Sequence, residues 1–198
     1  MRPVVLASKS QSRAAILTGA GVAYEVVGSG VDEDEAKHRL LGSGAGPREI
    51  AERLAEAKAL KVSRERPEAL VIGADQTLDL GGGLCDKAET LAEARDRLLA
   101  LRGRPHQLHS AVVAARGGAA IWRVSESPRL QMRDVSDAFL DGYLARNAEA
   151  VLSSVGCYQL ESEGAQLFDR IEGDYFAILG LPLLPLLGFL RREGALPA

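Results

Sequence analysis

Cysteine is nearly absent from this chain: Cys85 and Cys157 are the only two among 198 residues, far apart and in no CxxC arrangement. A disulfide-stapled scaffold and a cysteine-rich metal module are thereby excluded, and the two thiols read as small core residues of a reducing compartment. A basic excess is also lacking. The formal net charge of -3 leaves no footprint for duplex nucleic acid, whereas a free nucleotide needs only one local cluster of Lys and Arg. Long apolar runs are missing too. Val4 to Ala7 is too short for a signal peptide, and Ala177 to Leu190, interrupted by Pro182 and Pro185, falls short of the ~20 residues of a membrane helix. No repeat or low-complexity linker breaks the chain. One cytoplasmic domain over residues 1–198 is expected, with neither membrane nor nucleic-acid polymer as partner. Hydrophobic content of 46% and charged content of 26% are those of an ordinary globular protein.

The most informative stretch is Val71-Ile72-Gly73-Ala74-Asp75-Gln76-Thr77-Leu78. A short apolar run bounded by turn signals predicts a buried strand, and this one ends in Gly-Ala-Asp, leaving the acid at the strand's mouth. There Asp75 suits a metal ligand or a proton acceptor for water; it equally suits a turn cap. Upstream, Val4 to Ala7 predicts a strand. Ser8-Lys9-Ser10-Gln11-Ser12-Arg13 then leads into a helix capped by Ser10, with Ile16 and Leu17 buried. Free N–H groups, serines and basic side chains before a helix can hold an anion, and the same residues also make an ordinary capped helix. Val22 to Val27 predicts a second strand. Asp32-Glu33-Asp34-Glu35 reads as a solvated loop from which one acid could turn inward to a hard divalent cation. Leu41 to Gly46 reads as a mobile glycine-rich loop.

Pro47 opens a helix with an apolar stripe at Ile50, Leu54, Ala57 and Lys61, which puts Lys58 at the stripe's edge, in solvent or reaching a cleft. Thr77 to Cys85 predicts a hairpin around Gly81-Gly82-Gly83, with Lys87 after it. Thr90 and Glu93 form a capping box before a stripe of Leu91, Ala94, Leu98 and Leu101. His106 to Ala115 and Ala119 to Met132 predict a long antiparallel hairpin, and Ser136 caps a further helix with Val135 and Leu140 as its staple. His106 and His109, three apart in a strand, face opposite sides and share no metal; His38 lies in a polar loop. Trp122 and Tyr158 read as core or cleft-edge aromatics. Alternating strands and helices with two intruding hairpins predict an α/β fold with a mixed sheet.

In order along the chain, Leu6-Ala7-Ser8-Lys9-Ser10 with Arg13, Val31-Asp32-Glu33, Gly73-Ala74-Asp75-Gln76-Thr77, Lys87, Arg104-Pro105-His106, and Ile171-Glu172-Gly173 with Gly180-Leu181-Pro182-Leu183 form one set. The set resembles the Maf (septum-formation) family of nucleoside triphosphate pyrophosphatases. Leu167 to Gly173, with Gln76, is most similar to the bacterial branch that includes 7-methyl-GTP pyrophosphatases. The resemblance implies a central mixed sheet flanked by helices and shared by two lobes around a nucleotide cleft, often in a homodimer. It implies hydrolysis of a nucleoside triphosphate, standard or methylated, to monophosphate and pyrophosphate. A divalent cation (Mg or Mn), a nucleotide-sanitising role and a link to cell division come with it. By the same resemblance Asp75 is proton acceptor or metal ligand, and Glu33 is the metal acid, with Asp32 as its alternative. Lys58 and Lys87 lean on the triphosphate. Ser8, Ser10 and Arg13 cradle phosphates, and Gln76, Thr77 and Glu161 contact substrate.

Four places depart from the family pattern. Gln11-Ser12 replaces Pro followed by Arg or Trp, and Asp86-Lys87-Ala88 replaces Gly-Lys-Pro. Ser153-Ser154-Val155-Gly156 stands where the branch acting on dTTP and UTP has Asp-Lys-Ala-Gly. Glu161 stands at that branch's base-reading Gln, and an ionised acceptor suits a guanine edge better than thymine or uracil. A nucleotide-binding regulator with little turnover is the alternative these departures permit.

Overall fold

The computed structural model describes residues 2–197, so Met1 and Ala198 of the expected single unit lie outside it. The strands are β1 (Val4–Leu6), β2 (Glu25–Val26), β3 (Leu70–Leu80), β4 (Gly83–Cys85), β5 (Pro105–Arg116), β6 (Ala119–Glu126), β7 (Arg129–Met132) and β8 (Phe168–Glu172). Helices are α1 (Gln11–Gly19), α2 (Glu33–Gly42), α3 (Pro47–Glu65), α4 (Leu91–Leu101), α5 (Asp137–Arg146), α6 (Ala148–Ser153), α7 (Tyr175–Ile178) and α8 (Leu183–Arg192). The sheet runs β2-β1-β3-β5-β7-β8, with β4 also on β3 and β6 also on β5. β1 is parallel to both its neighbours and the other pairs are antiparallel, so the sheet is mixed, as the alternating pattern predicts.

The long strands β3 and β5, paired from Val71↔Ala115 to Asp79↔Gln107, serve two lobes. At one end, α1 and α8 bury Leu17, Leu186 and Phe189 against Ile72, Ala74, Val112 and Ala114. At the other, α4, α5 and α6 bury Leu98, Leu101, Leu140 and Val151 against Leu78, Leu108 and Leu130. Across the first lobe's other face lies α3, whose Ala51, Ala55 and Ala59 meet Ala111, Val113 and Ala115. Small side chains on both sides bring helix and sheet close, and Gly73 is the tightest point. A Cβ there would lie 2.5 Å from the Ala59 nitrogen and nearer still to the Ala55 carbonyl oxygen.

Several local expectations hold: Ser10, Thr90 and Ser136 accept the predicted capping bonds, and Pro47 opens α3. Others need correction. Residues 32–42 form no loop: Asp32 caps α2 by accepting from the Glu35 N–H at 2.9 Å, and His38 is helical. The second strand shrinks to two exposed residues. The α3 stripe is Ile50, Ala51, Leu54, Ala55, Lys58, Ala59 and Val62, with Lys61 exposed, so Lys58 lies on the buried face. Leu91 is exposed, and the hairpin's return arm breaks at Ser127-Pro128 into β6 and β7. No helix among the described residues is long and apolar enough to cross a membrane.

His106 and Tyr158 join the second lobe's core, with Nε2 and the phenol oxygen 2.8 Å apart. The other ring nitrogen, Nδ1, is buried without a partner among the described residues. Burial holds the imidazole down to about 4, only partly offset by the Arg104 backbone.

Two predictions follow from this packing. Gly73→Ala should cost about 1–3 kcal/mol or more, read from the urea midpoint, because the new methyl would run into the α3 backbone at Ala55 and Ala59 and into the Ala59 Cβ, none of which can swing aside. His106 lies below its unfolded value of 6.5, so between pH 6.5 and about 4 the unfolded chain binds a proton that the folded chain refuses. Stability is therefore complete above pH 6.5 and falls by roughly 3 kcal/mol as pH drops toward 4. In His106→Asn that part of the pH slope should flatten.

Candidate active site

β1 ends at Leu6, paired with Ile72, and β4 begins its pairing with β3 only at Leu78. Between them residues 73–77 of β3 have an unpaired edge, and this gap opens the cleft. Asp75 is thus in mid-strand, opposite Ala111 on β5, and the mouth comes from the early end of its parallel neighbour. The expected strand end at Asp75 is corrected accordingly. The cleft measures about 1010 Å³, at the upper end of the range for small-molecule sites. Ser8, Ser10, Arg13, Glu33, Lys58, Asp75, Gln76, Thr77, Lys87 and Glu161 all line it.

Alternation along β3 divides these residues. Gly73, Asp75 and Thr77 face α3, whereas Gln76 faces α7. The Lys58 ammonium lies 2.6 Å from Asp75 Oδ1 and 2.9 Å from Glu33 Oε2. The side chains of Lys58 and Asp75 are only 5% and 8% exposed. Burial raises the Asp75 carboxyl above its ordinary value against the opposing pull of Lys58 and Arg13. Its second oxygen, Oδ2, takes no hydrogen bond from the described residues. Arg13 is anchored twice, Nε donating to the Gly180 carbonyl at 2.9 Å and Nη1 to Ser8 Oγ at 3.0 Å. Lys87 is unpaired among the described residues, and burial lowers its ammonium, helped by Arg13.

Gln76 and Thr77 spend their donors on the protein. The Gln76 amide donates to Ser110 Oγ and to the carbonyls of Ala177 and Ile178, and the Thr77 hydroxyl donates to the Pro47 carbonyl at 2.8 Å. These bonds fix the C-terminal segment and the start of α3 around Asp75. Glu161 is exposed at the junction of the cleft with an apolar recess of about 610 Å³ between α1, α7 and α8. Tyr158, expected as a core or cleft-edge aromatic, lines the cleft, whereas sequence reasoning missed Lys37 and gave Asp86 no role. Lys37 was hidden because an acidic run masks the helix that carries it.

Five cationic and eight acidic side chains line the cleft, so a polyphosphate would enter an acidic site. Among the described residues no three metal-ligating side chains cluster. The Asp75 and Glu33 carboxylates, both on Lys58, still fit Mg or Mn, hard cations that are commonly held by one or two carboxylates and complete their shell with water and phosphate oxygens. Lys58 holds those carboxylates together as their built-in counter-charge.

The family model described as Maf-like protein matches residues 3–193. A protein of Caulobacter vibrioides named nucleoside triphosphate pyrophosphatase is 64% identical over 99% of this chain and 98% of its own. Another of that name, from Granulibacter bethesdensis, is 52% identical over 98% of both chains. A protein of Rhizobium meliloti named 7-methyl-GTP pyrophosphatase is 48% identical over the whole of both.

Lys58→Met should reveal how much the buried pair matters. Leaving Asp75 without its partner should cost about 3–5 kcal/mol at pH 7 by urea denaturation. With its folded value raised further, Asp75 then takes up a proton readily. The two proteins should converge in stability as pH falls toward 4.

Proposed function

The chain belongs to the Maf family, and we propose that it is a nucleoside triphosphate pyrophosphatase, a hydrolase acting on the α–β phosphoanhydride in the cleft around Asp75. The observation that carries this reading is the Lys58-centred charge cluster: a nearly buried carboxylate of raised basicity at the unpaired edge of β3. The similarity to proteins named for this activity supports it over nearly the whole chain.

Asp75 Oδ2 accepts a proton from a water molecule as the water oxygen attacks the α-phosphorus. The bond from the α-phosphorus to the bridging oxygen breaks, the electron pair leaves with pyrophosphate, and a nucleoside monophosphate remains. A carboxylate raised above its ordinary value is a better base at neutral pH, provided that it stays ionised, and Lys58 and Arg13 keep it so. Arg13, Ser8, Ser10 and the free N–H groups at the start of α1 offset phosphate charge, and Lys87, unpaired among the described residues, brings a further ammonium to the cleft. Gln76 and Thr77 position the strand. Glu33 and Asp75 are the residues to hold Mg or Mn, which when bound would neutralise polyphosphate charge in this acidic cleft. Glu161 beside an apolar recess suits a base with N–H donors on its edge, which favours a guanine-type nucleotide, 7-methyl-GTP included. A cytoplasmic, nucleotide-sanitising role is consistent with that reaction.

Pyrophosphate release from dTTP, UTP, CTP, GTP and 7-methyl-GTP, with Mg²⁺, Mn²⁺ or neither, tests the proposal. Metal-dependent release confined to one or two bases is expected. Asp75→Asn should lower turnover by about 10²–10⁴-fold while nucleotide still binds. The acidic limb of wild-type kcat/KM should lie above the ordinary aspartate value of 3.8. Binding without release from any nucleotide would turn the reading to the regulatory alternative, and full turnover in Asp75→Asn would remove Asp75 from the chemistry.

A further inference from the structure

Helix α2 is loosely seated. None of its residues is buried, yet it carries Glu33 into the cleft. Charge holds it at two points. Glu33 meets Lys58 at 2.9 Å, and one turn further on Lys37 Nζ donates to Asp86 Oδ1 at 3.0 Å. Asp86 belongs to the facing wall: it follows β4 directly and precedes Lys87. Its carbonyl oxygen accepts from Arg97 Nη1 on α4 at 2.5 Å, and the same nitrogen also donates to the Val155 carbonyl at 3.3 Å. One aspartate thereby links α2, the Lys87 segment and, through Arg97, the wall formed by residues 153–156.

We propose that Asp86 is a positioning residue: through Lys37 it ties the helix bearing Glu33 to the segment bearing Lys87, setting both before substrate arrives. The proposal rests on the function given above for that cleft. The alternative partner of Lys37 is weaker, since Asp34 Oδ1 stands at 3.8 Å and its side chain is almost wholly exposed. The Lys37–Asp86 pair is itself partly solvated, with side chains 24% and 59% exposed. Such a pair holds the resting arrangement and still releases when nucleotide enters or pyrophosphate leaves.

The test compares the full-length wild type with Asp86→Asn, Lys37→Gln, the double variant and a charge swap, Lys37→Asp with Asp86→Lys. Amide hydrogen exchange of α2 is measured without ligand, and kcat and KM are measured for the nucleotide that wild type turns over best. Each single variant should speed α2 exchange by about two- to fivefold, the range for an exposed pair. Each should lower kcat/KM to a similar degree, the double variant should be no worse than either single, and the swap should restore both readouts. High salt should abolish the difference. Unchanged exchange in Asp86→Asn overturns the proposal, as do additive effects in the double variant. A rise in kcat/KM for Asp86→Asn would show Asp86 to be only a repulsive wall, and faster exchange with unaltered turnover would show a tie without a positioning role. If wild type releases no pyrophosphate from any nucleotide, the functional reading fails by itself, and exchange alone still decides whether the tie exists.

Discussion

The approach of α3 to the sheet at Gly73 is the constraint on which the site depends. An alanine seam lines the contact, and a hydrogen atom is all that separates strand from helix backbone at its centre. From that close seat, a lysine one residue before Ala59 reaches a carboxylate two residues along β3. The same seat lets the Thr77 hydroxyl meet the carbonyl at the first turn of α3. Leucines along this seam would hold the helix farther away, leaving the Lys58–Asp75 pair too long to compensate the burial of two charges. Small residues here are therefore a condition of the electrostatics as much as of the packing.

The electrostatics in turn make sense of an acidic cleft for an anionic substrate. A site built only of cations would bind polyphosphate and retain pyrophosphate just as firmly. Here the lining is weighted to carboxylates, and the cations are restrained: Arg13 is held by Gly180 and Ser8, Lys58 by two acids, and Lys37 by Asp86. The lining cations without a partner among the described residues are Lys9 and Lys87, and they join Arg13 and the start of α1 as the groups that can meet an anion. Such a balance favours passage over storage, which agrees with turnover better than with a nucleotide-holding regulator.

The sequence made much of this legible, for local reasons. Serine caps at Ser10 and Ser136, the proline at Pro47 and the glycines of the β3–β4 turn each have a stereochemical cause that acts within a few residues. Most of what escaped depends on contacts between distant segments. Asp75 reads as a strand end because no local signal tells that β1 stops at Leu6 while β5 continues beside it. Lys58 reads as an edge residue because alanines count weakly in a hydrophobic stripe, although here they form the contact. Asp32 was submerged in an acidic run, so its cap and the helix behind it were missed. Every site residue named from the sequence lines the cleft, but the bonds that occupy Gln76 and Thr77 could be seen only in the assembled molecule.

One feature of the cleft bears on the order in which the chain can acquire activity. Arg13 donates to Gly180, and Gln76 to Ala177 and Ile178, across 101 to 167 residues of sequence. During synthesis the N-terminal strand and the Asp75 strand leave the ribosome long before their partners exist. Until residue 180 emerges, Arg13 is an unanchored cation and Gln76 an unsatisfied amide beside an open sheet edge. The cleft around Asp75 therefore cannot be complete until residues 177–180 have folded back onto it, and its final arrangement arrives as a late and cooperative event.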